Sequence, residues 1–277
     1  MWFKKNAAII AWASLLWLVN GENITAANIS DNNSKKIKNI LNIHSETQIH
    51  YKTDMLNIQE KKNISKILHW YCAFYHIKLP YLNIVKGEQV PGDDLRGTTL
   101  AIGEPQKIII HEELLKTKSK ELNENTFIHE IFHAIKPEKA DAIAPYVIKN
   151  GYTITWVHGL NILVHKWDIS VQFSILEEAA AQACAEKYKP NYNHSDINYK
   201  YIGPFMLKII NKGWISTQDI IEAQMTNNIY MFVSKILNKN EVDGKDIETI
   251  MGIFDTVFRN KQDYTDINIK KIEQLRQ

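Results

Sequence analysis

Cysteine is nearly absent from this chain of 277 residues, which has only Cys72 and Cys184 and no Cys-x-x-Cys pair. A Cys-rich zinc site is excluded, and a multi-disulfide framework has nothing to be built from. Both residues fall in predicted helices among apolar neighbours, where a free thiol behaves as a small buried hydrophobe. Pairing in an oxidising compartment is the alternative. Basic clusters are also lacking. The 33 Lys and Arg are spread along the chain and nearly balance 31 Asp and Glu, for a net charge of +2. No basic arm or RNA-binding signature occurs, which argues against nucleic acid as a partner. Nor is there a membrane-spanning run: Ala7–Val19 carries no charge, but it is shorter than the roughly 20 residues that cross a bilayer.

What is present is globular composition, 45 % apolar and 23 % charged. A core drawn from such a chain needs neither disulfide nor metal, so a metal here would be functional rather than structural. Lys4 and Lys5 followed by Ala7–Val19, and then by Gly21, Ala26 and Ala27, have the order of a secretory signal. Residues 1–27 are therefore expected to direct export to a secreted or periplasmic location. An uncleaved N-terminal anchor is the alternative, and the only membrane attachment expected. Residues 28–54 are polar and read as a linker running into a short first element. Residues 55–277 form the folded domain.

Within that domain, Ile64, Ile67, Leu68, Tyr71, Phe74 and Tyr75 recur at helical spacing, predicting a helix over 57–76. A strand follows at Tyr81–Lys86, then a loop at Gln89–Arg96. Two strands come next, Gly97–Ile102 and Lys107–His111, with Gly103-Glu104-Pro105 as their turn. A long helix closes with Phe127–Lys136 before Pro137, which cannot sit inside it. Tyr152–Val164 suits strand or helix. Ser170–Lys189 reads as a helix with Asp168 as a possible cap, and helices follow near 203–212, 217–238 and 245–259. A helix, a small sheet and a mostly helical second half make an α+β plan.

The chemistry lies in His129-Glu130-Ile131-Phe132-His133. Residues four apart on a helix project from one face, so His129 and His133 can present two imidazoles to one metal ion. Glu130 is rotated towards the side where a zinc-bound water would lie. Zinc brings the pKa of such a water towards about 7, and a carboxylate within reach can take its proton. That is the physical content of an HExxH motif. Phe127, Ile128, Ile131, Phe132 and Ile135 surround it with apolar bulk.

Zinc needs a third protein ligand. The metzincin pattern asks for Gly and His where this chain has Lys136 and Lys139. The gluzincin pattern asks for a Glu on a later helix, which Ser174-Ile175-Leu176-Glu177-Glu178-Ala179-Ala180-Ala181-Gln182 supplies. The chain thus resembles the gluzincin metallopeptidases over about residues 57–190. That resemblance implies a zincin-like fold, with a small sheet packed on the active-site helix. It also implies Zn2+ on His129, His133 and Glu178, Glu130 as general base, and a peptide or protein substrate. Glu177, His158, His165 and Asp141 remain alternative third ligands. Thermolysin-like enzymes hold a zinc-bound His with an Asp where this chain has Gln182, whose carbonyl can accept the same N–H more weakly. The class further implies an edge strand that pairs with extended substrate, here Lys107–His111, and an oxyanion donor among Tyr152, His158, His194, Tyr201 and Tyr230. The expected activity is zinc-dependent peptide-bond hydrolysis. The alternative is a non-catalytic zincin-fold binding protein of the cell envelope or secreted fraction, against which the intact Glu130 argues.

Overall fold

The computed structural model describes residues 49–51, 56–78, 82–87, 101–111, 120–188, 201–260 and 265–277. The signal reading of 1–27 and the loop at Gln89–Arg96 lie outside them. Strand β1 (Ile49–Tyr51) precedes helix α1 (Ile58–Tyr75). Asn57 and Glu60 start that helix as a capping box: Glu60 N donates to Asn57 Oδ1 at 2.9 Å and Asn57 N to Glu60 Oε2 at 2.7 Å. Its buried stripe is Ile64, Leu68, Tyr71, Cys72 and Tyr75, the face that the helical spacing marked. Cys72 and Cys184 are both buried and are not joined in a disulfide.

Strands β2 (Leu82–Gly87), β3 (Ala101–Glu104) and β4 (Lys107–His111) join β1 in a mixed sheet of order β1-β2-β4-β3. The register pairs Ile84 with Ile108 in the parallel β2–β4 ladder, and Gly103 with Ile108 in the antiparallel β3–β4 ladder. Lys107–His111 is therefore an interior strand, not the edge. Its unbroken Ile108-Ile109-Ile110 centre suits a strand with neighbours on both sides, and the outer strand beside it is β3. The hairpin turn also falls later than Gly103-Glu104-Pro105. Gly103 and Glu104 are in strand, and Gln106 takes the positive φ of 56°.

Helix α2 (Lys120–Ala134) lies against β3. A Cβ on Gly103 would overlap Glu130 O and come within 2.8 Å of His133 Cβ, so glycine is what permits the approach. Gln106 N donates to Ala134 O at 2.9 Å, which satisfies a carbonyl at the helix end. Four antiparallel strands follow: β5 (Asp141–Val147), β6 (Thr153–His158), β7 (Asn161–Lys166) and β8 (Ile169–Phe173). Tyr152–Val164, open between strand and helix in sequence, is mostly the β6–β7 hairpin, turning at Gly159 with φ +63°.

The helix expected from Ser170 begins later. Ile169, Val171 and Phe173 pair with Lys166, Val164 and Ile162 in β8, and only then does α3 (Ile175–Tyr188) start, with Glu178 N donating to Ser174 O at 2.9 Å. Asp168 is exposed in the β7–β8 turn and caps nothing. Ile169 and Val171 are exposed, so the segment is held as a strand by its ladder with β7 and not by a buried apolar face.

The rest is helical: α4 (Ile202–Asn211), α5 (Thr217–Met225), α6 (Ile229–Leu237), α7 (Gly244–Asn260) and α8 (Thr265–Leu275). The single helix expected over 217–238 is two, parted where Asn227 takes φ 53° and the Asn228 side chain accepts from Met231 N. Among the described residues no helix is long and apolar enough to cross a membrane. The α+β plan holds, with two small sheets ahead of the helical half.

Candidate metal centre

Helix α2 carries His129 and His133 one turn apart, 8 % and 7 % exposed. Their Nε2 atoms face each other at 2.9 Å. Helix α3 comes in beside them because Ala179, Ala180, Ala181, Ala183 and Ala185 are all buried and hold no bulk that would keep the helices apart. It delivers Glu178 Oε2 to 3.3 Å from His129 Nε2 and 3.6 Å from His133 Nε2. Among the described residues these three form the one group of His, Cys, Asp or Glu side chains placed to hold a metal ion together.

The arrangement fits a metal by its donor spacing. A tetrahedral ion with bonds near 2.0–2.1 Å needs donors about 3.3 Å apart, close to the two His–Glu distances. Burial alone raises the Glu178 carboxyl, but His133 and His129 outweigh it and hold that carboxyl well below the usual carboxylate range. Burial lowers the His133 imidazole, and Glu178 and Glu177 more than reverse it, to a value above the ordinary one. The site thus concentrates negative charge opposite two ring nitrogens, as a cation site must.

Glu130 is on the same helix but is not among the three converging ligands. Its Oε2 accepts a hydrogen bond of 2.6 Å from Gly103 N, which ties its carboxylate to strand β3. The alternative ligands stay apart from the trio. His158 Nε2 is 2.6 Å from Pro137 O, His165 Nδ1 is 2.6 Å from Ser170 Oγ, and Asp141 accepts from Asn227 Nδ2 at 3.0 Å. Glu177 is beside the trio but turned to the far side of His133, with Oε1 3.3 Å from Nδ1. Of the oxyanion candidates, Tyr152 has Lys166 Nζ over its ring at 5.4 Å, Tyr201 immediately precedes α4 and Tyr230 is in α6. His194 lies outside the described residues.

The bond expected from Gln182 is not formed. Gln182 is 5 % exposed, yet among the described residues neither its Oε1 nor His129 Nδ1 has a hydrogen-bond partner. The buried polar cluster lies instead around Glu177, with Lys136, Asn161 and Gln224. Sequence reasoning passed over the last three. A signal was present for two of them: Lys136 follows the apolar Ile135 at a helical step from His133, and Gln224 is set among Ile220, Ile221 and Ala223. Comparison with protein-family models, with curated proteins and with solved structures finds no match to the chain.

Proposed function

We propose that this protein is an exported zinc metallopeptidase of gluzincin type. The observation that carries the reading is the convergence of His129 Nε2, His133 Nε2 and Glu178 Oε2, with the two histidines on a helix that also carries Glu130, a carboxylate that metal binding alone does not require. Two imidazoles and one carboxylate are a ligand set that zinc takes at catalytic sites, with a fourth position left open. Zinc held there supplies Lewis acidity, which polarises a scissile carbonyl and makes water acidic near neutral pH.

The protein's own part falls mainly to Glu130. Gly103 N–H fixes one of its oxygens, and the carboxylate takes a proton from the attacking water and returns it to the leaving amine. Strand β3, outermost among the described strands of its sheet and lying on α2, gives an extended peptide a place to add a further strand, as a zincin-like fold would. Lys4, Lys5 and Ala7–Val19 supply the export signal.

The deciding experiment compares wild type and Glu130→Gln on a peptide library at equal zinc occupancy. Glutamine keeps the shape but accepts no proton, so turnover drops by about 10²–10⁴-fold while bound zinc is unchanged. Equal metal-dependent turnover in the two proteins removes Glu130 from the mechanism. Absence of bound zinc, or of turnover in both, favours a non-catalytic binding protein.

A further inference from the structure

We infer that Glu177 is the positioning residue of the metal centre, holding His133 through Nδ1 while Lys136, Asn161 and Gln224 hold Glu177. The inference rests on the metal reading of His129, His133 and Glu178. A His that gives Nε2 to a metal must carry its proton on Nδ1, and a buried N–H needs an acceptor that also sets the ring's orientation. Adjacent helical residues diverge by about 100°. Glu178 therefore reaches the Nε2 side of His133, and Glu177 the Nδ1 side, at 3.3 Å.

A carboxylate 1 % exposed costs much to bury unless it is fully partnered, and Glu177 is. Lys136 Nζ donates to its two oxygens at 3.0 and 3.3 Å, Gln224 Nε2 donates to Oε1 at 2.5 Å, and Asn161 Nδ2 donates to Oε2. The direction of the Gln224 amide is set independently. Its Oε1 accepts from Leu160 N at 2.8 Å, and its Nε2 also donates to Phe132 O at 3.1 Å. The glutamine thus has only its N–H₂ to offer Glu177. Lys136 follows α2, Asn161 opens β7 and Gln224 belongs to α5, so two elements and the segment after α2 converge with α3 on one carboxylate. The role that Gln182 was expected to fill on a zinc-bound His is performed by a residue five positions earlier, on His133.

The test measures zinc affinity of the full chain by competition with a chromogenic chelator, with circular dichroism to verify folding. Removing Glu177 alone leaves Lys136 buried without its counter-charge, so the comparison is made in Lys136→Met. Adding Glu177→Gln to Lys136→Met lowers zinc affinity by about 10–100-fold, the usual effect of losing an outer partner of a ligand, and Glu177→Asp in the same background recovers part of it. A folded double variant whose zinc affinity matches that of Lys136→Met overturns the inference and leaves the metallopeptidase reading standing. Wild-type protein that takes up no zinc overturns both.

Discussion

Glu177 and Glu178 share a side-chain chemistry and a helix turn, yet their surroundings separate them. The first is enclosed by Lys136, Asn161 and Gln224, whereas the second meets the imidazoles of His129 and His133 and keeps 18 % of its side chain exposed. On the proposed zinc reading, Glu178→Ala removes a direct donor, so zinc affinity should fall by more than the about 100-fold upper range for an outer partner. Metal content after dialysis measures this, and full retention of zinc would refute Glu178 as a ligand. Cys184 makes a different kind of prediction. Burial pushes its thiol up to about 12, against a smaller opposing effect of Tyr75, and only the thiolate attacks an alkylating reagent. Iodoacetamide at pH 8 should leave Cys184 unmodified in the folded protein and label it after denaturation, as read by peptide mass. Rapid labelling of the native chain would contradict its burial.

The contact between β3 and α2 has no room for a side chain at Gly103. Gly103→Ala pushes the strand off the helix and breaks the hydrogen bond from Gly103 N to Glu130. On the metallopeptidase reading, hydrolysis should fall by at least about 10-fold, part of the general-base contribution. Unchanged turnover would mean that β3 does not position Glu130. Helix α5, which carries Gln224, depends on its cap. Asp219 N donates to Ser216 Oγ at 3.0 Å and Ser216 N donates to Asp219 Oδ2 at 3.0 Å. Ser216→Ala should cost about 1 kcal/mol in urea unfolding. Burial raises the Asp219 carboxyl, but Ser216 and Lys235 outweigh it and the net shift is downward. Its stabilisation is therefore present above the ordinary carboxylate pKa and is lost as pH falls through the lower folded value. The stability gap between wild type and Asp219→Asn should close under acid, and a gap that widens there would reverse the sign. These elements differ in how plainly they could be read beforehand. The 3.6-residue spacing of α1 was legible, whereas β8 lay hidden because five residues next to an Ala-rich helix read as its extension.

Across the described domain, the apolar core runs from Leu56 through both sheets and the helical half to Ile272. A core of that extent folds without metal, and a metal adds to stability only by binding the native state. Saturating zinc at about 100 times its Kd contributes about 2.7 kcal/mol, worth about 5–10 °C in melting temperature for a domain near this size. Chelation should lower Tm by that amount and leave the far-ultraviolet circular dichroism of the cold protein intact. Collapse of the spectrum on chelation would make the metal structural. The proposed export makes a separate prediction: protein taken from its native host should lack an N-terminal segment ending between Gly21 and Ala27, and an intact Met1 on a soluble cytoplasmic chain would exclude the signal reading.

Local order in the chain was enough to place His129, Glu130 and His133, because four-residue spacing on a helix is a short-range property that neighbouring apolar residues and Pro137 make visible. The same holds for α1, β2, β4 and the helices α4 and α7, whose periods are written into consecutive residues; the break between α5 and α6 and the last helix, α8, were not read. Which glutamate meets the imidazoles at Nε2 and which at Nδ1 has no local signature, since both are acidic positions in one helix turn. The choice follows from how α3 is rotated against α2, and that rotation is set by its buried alanines and by Lys136 just beyond α2, Asn161 of β7 and Gln224 of α5. Strand order is non-local in the same way: β4 is interior because β2 and β3 pair on either side of it. Hydrogen bonds between distant strands, and packing between distant helices, exist only once the chain has closed on itself.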